Sequence, residues 1–186
     1  CFLVDPLLEG TDTKYLRAAF FLPQNKALVH HAVAYAIPKT AGPETMVDGK
    51  TPVDALEPYE CFGGPRIEAA RFVTAWASGM KPMTFPAGAA MPLAGGTRFL
   101  SQVHYHSHHG TLDPDRTTLQ VDITKDKPLY LAEPRLVGDF ATPMPAVVPP
   151  DVGGGGLLSG PNDPPSGPVF FIPKETKAHT ETMRFV

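Results

Sequence analysis

Apolar residues in this chain come in short runs or at alternate positions, and nowhere do they keep a helical period over three turns. The cleanest alternation sets Leu119, Val121 and Ile123 against Thr118, Gln120 and Asp122. Together with the apolar runs, it predicts strands over 15–22, 28–37, 98–106, 117–123, 129–132, 169–172 and 180–186. A short helix over 67–75 is the only helical expectation. Residues 39–58 are polar, with prolines and glycines, and read as a long surface loop. Residues 82–96 carry Pro-Ala-Gly and Gly-Gly turns that deliver the chain into the strand containing His104. Residues 138–168 hold eight prolines and seven glycines, which suits a mobile insertion better than a packed core. Many short strands at this spacing predict an all-β fold, a jelly-roll β-sandwich with long Pro/Gly-rich loops.

Composition sharpens that picture. The chain has 186 residues, enough for a single domain with a real core. Its 22 prolines are about 12% of the residues, against an average near 5%, and such density works against long helices. A formal charge of −3 with scattered Lys and Arg argues against a nucleic-acid partner. No apolar run approaches the ~20 residues of a transmembrane helix. The two cysteines, Cys1 and Cys61, fit either a disulfide or two separate buried thiols. A lipid anchor on Cys1 fits less well, because Phe2-Leu3-Val4 reads as strand rather than as a tether.

The candidate chemistry lies in the histidines. His30 and His31 stand side by side in the apolar run 28–33, and His104 stands in Gln102-Val103-His104-Tyr105. Both runs are expected to be largely inside, where an unpaired imidazole is costly. Three histidines converging from two strands would make a site for copper or zinc. On a regular strand, however, His30 and His31 point to opposite faces. Sharing one ion therefore requires a twist or bulge there, or rings that both reach with the short Nδ1 side. His31 shares its face with Val33, Tyr35 and Ile37, whereas His30 shares its own with Leu28, Ala32 and Ala34. Taken singly, each is more ordinary as a packed core residue.

His104 lies with Leu100 and Gln102, and His106 follows on the same face. A rival site could use His104 and His106 with His108 and His109, which otherwise read as exposed turn residues. Met80, Met83 and Met91 offer thioethers but read as packing residues. Asp113 and Asp115, in Asp-Pro-Asp-Arg, read as turn chemistry. No nucleophile triad, Gly-rich phosphate loop, Cys-x-x-Cys or close pair of buried carboxylates is present in the sequence, so no catalytic residue is assigned.

Several segments in order carry a resemblance: Cys1-Phe2-Leu3-Val4-Asp5-Pro6, Val29-His30-His31, Tyr59-Glu60-Cys61, Ala75-Trp76-Ala77, Phe85-Pro86-Ala87-Gly88, Gln102-Val103-His104-Tyr105 and the closing Phe171-Ile172-Pro173. Together they resemble the first domain of the copper type II, ascorbate-dependent monooxygenases, the family of peptidylglycine α-hydroxylating monooxygenase and dopamine β-hydroxylase with their bacterial relatives. The resemblance implies a jelly roll holding one copper on His30, His31 and His104. It also implies a disulfide between Cys1 and Cys61, and ascorbate as a reductant. That copper would relay electrons to a second, oxygen-activating copper on another domain, which no segment here matches. The partner implied is thus a second copper domain of the same or another chain, in a secreted or periplasmic protein. The family's substrate contacts fall largely in that other domain. Trp76 reads as a core or cleft-wall aromatic.

Two further function classes compete with an electron-relay domain. One is a lone extracellular or periplasmic copper-binding module without catalysis. The other is a structural or interaction jelly roll whose histidines only pack.

Overall fold

The structure is a computed structural model that describes residues 1–4, 8, 10–39, 58–67, 69–106, 114–134, 156–157, 174–178, 180 and 183–184. Among these residues there is no helix, and the chain is an all-β sandwich of two main sheets. Its residues group into two units, Cys1–Pro134 and Arg135–Val186. The first unit carries both sheets and every residue of the candidate site.

The first sheet contains β1 (Phe2–Val4), β3 (Val29–Ile37), β4 (Arg71–Ala77) and β7 (Arg98–Tyr105), in the order β1-β7-β3-β4. All of its pairings are antiparallel. The second sheet is built on β2 (Lys14–Leu22). β8 (Thr118–Thr124) runs along one side of β2, and the other side is shared by β5 (Met83–Thr84) and β6 (Ala89–Leu93). β9 (Tyr130–Leu131) joins β6 in parallel. These pairings establish a two-sheet sandwich, and they do not by themselves establish jelly-roll connectivity. In the second unit, β10 (Gly156–Leu157) pairs with β11 (Met183–Arg184), so two residues of the segment read as an insertion are strand. The predicted strand 169–172 and the closing Phe171-Ile172-Pro173 lie outside the described residues.

Period-two patterning decides which side chains enter the core. Ala32, Ala34 and Ala36 of β3 face inward, all under 3% exposed, and they pack with Phe99, Trp76, Leu16, Phe21, Met91 and Leu93. Leu119, Val121 and Ile123 cover this core from β8, as their alternation predicts. The opposite face of the first sheet is not bare. Ile37 and Leu100 meet Cys1, Leu3, Cys61, Ile67 and Ala70 in a second cluster, with Tyr35 and Tyr59 packed against it. A Cys1–Cys61 disulfide holds that cover in place, with Cα atoms 5.6 Å apart.

Two expectations are corrected. The segment read as a possible helix over 67–75 is mostly strand β4, whose Trp76 is a core residue, one of the two places its reading allowed. Residues 82–96, read as a loop, contain β5 and β6. Turn residues frame these strands closely: Gly88 has a φ of 79° in the turn before β6, and Gly95 lies where a Cβ would collide with the Gly10 carbonyl.

Candidate metal centre

β3 and β7 pair in regular register from Ile37↔Arg98 up to His31↔His104, and the next pair is Val29↔Tyr105. One residue on β3, His30, therefore has no opposite number on β7. This is a β-bulge, in which two residues of one strand oppose one of its neighbour and the alternation of side chains is broken. A regular strand would send His30 and His31 to opposite faces. At the bulge both rings stand on the outer face of the sheet, with Nδ1 atoms 3.1 Å apart.

His104, the register partner of His31, brings the third ring. Ring centroids are 4.7 Å apart for His31 and His104, 5.2 Å for His30 and His104, and 5.2 Å for His30 and His31. One ring nitrogen from each of the three lies within 4.8 Å of the other two, so the cluster could hold a metal ion. Nitrogens each ~2.0–2.1 Å from one ion stand about 3.3 Å apart in a tetrahedral arrangement. The His30–His31 separation of 3.1 Å is close to that requirement, and the His104 nitrogen, within 4.8 Å of both, would have to draw in to join. Imidazole-only donors suit copper, zinc, iron and nickel.

The expectation that His30 and His31 are buried core residues is corrected. His30 is exposed, and His31 and His104 are half-buried, because their face of the sheet is the outer one. That face is covered by the disulfide-linked cluster at one end and open at the histidine end. Burial first, then repulsion from His104 and His30, pushes the His31 pKa below its ordinary 6.5. The shift favours the neutral, ligating form of the ring.

The loop after Tyr59 borders the site. The carbonyl of Cys61 accepts hydrogen bonds from Gly64 N–H, at 3.1 Å, and from the Gln102 amide, which shares the outer face with His104. The Tyr59 hydroxyl donates to the Pro65 carbonyl at 2.7 Å. Held this way, Phe62 is 87% exposed and its ring centroid lies 6.3 Å from that of His104.

His106 is exposed beyond the strand end, its ring centroid 6.1 Å from that of His30, and it is not part of the three-nitrogen cluster. His108 and His109, the rest of the rival site, lie outside the described residues. Met91 is fully buried and Met83 packs against the core, as read from the sequence, whereas Met80 is 52% exposed in the turn after β4. Asp115 was read as a turn residue only. It does turn the chain, accepting from Thr117, but it also reaches Asn25 and Tyr105 from distant segments. No local motif announces those two contacts, since their partners lie 90 and 10 residues away.

Comparison with protein-family models and with characterised protein sequences gives no match for this chain.

Proposed function

We propose that this chain is the first, copper-bearing domain of a type II copper, ascorbate-dependent monooxygenase, and that His30, His31 and His104 hold its copper. Bound there, copper would cycle between its two common oxidation states and so pass single electrons. The observation that carries the reading is the bulge at His30. It turns two adjacent histidines onto one face opposite a third, an arrangement with little packing value on a half-open surface.

The protein's own part is to fix three neutral imidazoles on paired strands, so that little has to move when the charge at the site changes. The open end of the outer face admits a reductant such as ascorbate. The same opening allows approach of a second copper domain, of this or another chain, where oxygen would be activated. The Cys1–Cys61 disulfide fits an oxidising compartment, secreted or periplasmic. Among the described residues no helix is long and apolar enough to cross a membrane.

The test is redox cycling of the copper-loaded chain. Under the proposal, ascorbate abolishes the copper(II) electron paramagnetic resonance signal and a mild oxidant restores it, with no loss of metal. Copper that stays oxidised in ascorbate, or that leaves the protein on reduction, contradicts a relay role.

A further inference from the structure

Asp115 lies just ahead of β8, yet its carboxylate links Asn25, ahead of β3, to Tyr105, the last residue of β7. Oδ1 accepts the backbone N–H of Asn25 at 2.9 Å. Oδ2 accepts from the Thr117 hydroxyl at 2.7 Å, the Thr117 N–H at 3.1 Å and the Tyr105 hydroxyl at 3.2 Å. Asn25 heads the turn into β3, and its carbonyl accepts from Leu28 N–H at 3.1 Å and Val29 N–H at 3.0 Å. The Leu28 carbonyl accepts from His106 N–H at 2.8 Å, just beyond the end of β7. Val29 and Tyr105 are themselves register partners, and that pair closes the bulge around His30.

We propose that Asp115 is a positioning residue of the histidine site, tying the turn that leads into His30 and His31 to the strand end that carries His104. This rests on reading the three histidines as a metal site. A carboxylate is needed because four donors converge on its two oxygens. An amide there would turn an N–H₂ toward either Asn25 N–H or the Thr117 and Tyr105 donors. Burial raises the Asp115 pKa, but the hydrogen bonds from Thr117, Asn25 and Tyr105 outweigh it and hold the carboxyl below its ordinary range. The acceptor-only form thus persists at neutral pH.

The experiment measures copper(II) affinity by chelator competition, and the electron paramagnetic resonance spectrum at full occupancy, on the full chain. Wild type is compared with Asp115→Asn, Tyr105→Phe and Asp122→Ala. Asp115→Asn is expected to weaken copper binding about 10-fold and to shift the copper hyperfine coupling. Tyr105→Phe shifts both the same way by less. Asp122→Ala removes the exposed Arg17–Asp122 pair between β2 and β8, at 2.8 Å, and changes neither. A merely structural Asp115 would lower the unfolding temperature and leave the spectrum of the loaded protein alone. Wild-type affinity and spectrum in Asp115→Asn therefore overturn the proposal. Should that variant not fold, an unchanged spectrum and affinity in Tyr105→Phe overturn it instead. A wild-type chain that binds no copper, or binds it equally after His31→Ala, overturns the site itself and the positioning role with it.

Discussion

At His31, burial and the neighbouring imidazoles act in the same direction, both disfavouring the protonated ring. A histidine with a lowered folded-state pKa binds fewer protons when folded than when unfolded. Its contribution to stability is therefore complete above about pH 6.5. It is lost as the pH falls from there through the lowered folded value. A proton titration of the metal-free protein followed by nuclear magnetic resonance should place the His31 midpoint below 6.5, and a midpoint above that value contradicts the crowded geometry. Because ligating imidazoles must be neutral, bound copper should also be released as the buffer becomes mildly acid. Occupancy that persists well below the histidine range counts against these ligands. The rings are at least partly exposed, so His31→Ala in metal-free protein should change stability by no more than about 0.5 kcal/mol in urea unfolding. The grouping of His30, His31 and His104 was legible in the sequence, through the order of motifs around them. Their exposure was not, because an apolar run such as Leu28-Val29-His30-His31-Ala32-Val33 reads the same whether its second face meets a core or a partly open surface.

At the level of elements, β3 shows both what alternation reveals and where it stops. Its inward row, Ala32, Ala34 and Ala36, is small because Phe99 and Trp76 from the flanking strands occupy the space beside it. Overfilling that row should therefore be costly: Ala34→Leu is expected to destabilise by about 1–3 kcal/mol, seen as a lower urea midpoint with an unchanged slope. A neutral result would mean that the inner layer is loosely packed. The bulge at His30 was legible only as a condition, since the sequence showed that a shared ion needs one and not that the strand has one. The strand β4 was missed because buried residues occur on both sides of its pleat. Phe72, Val73, Thr74 and Trp76 are all buried, and Val73 is itself an extra residue against β3. Strand β6 was missed because Pro92 and the neighbouring glycines mimic a loop. Its proline is tolerated because β9 pairs only with Ala89 and Ala90, while the Pro92 carbonyl still accepts from Arg71 at 3.1 Å.

Over the whole molecule, the disulfide and the histidine cluster share one surface. Cys1 and Cys61 are 60 residues apart in sequence, and their bond clamps the Tyr59–Cys61 segment onto the outer face beside Gln102 and His104. Replacing both cysteines by alanine should lower stability by about 2–4 kcal/mol, measured by thermal or urea unfolding. Stability unchanged by the double replacement would mean that the outer cluster holds itself together unaided. The all-β architecture could be read from strand spacing and proline content. The cover on the outer face could not be read from local pattern, because the segment that supplies it is short and fixed by a long-range bond. A three-histidine copper site on this face can be tested by copper stoichiometry with electron paramagnetic resonance on wild type and on His30→Ala, His31→Ala and His104→Ala. The expected result is one copper per chain, with a nitrogen-rich type II signal that each single substitution removes. Absence of copper from wild type, or a signal that survives all three substitutions, would contradict it.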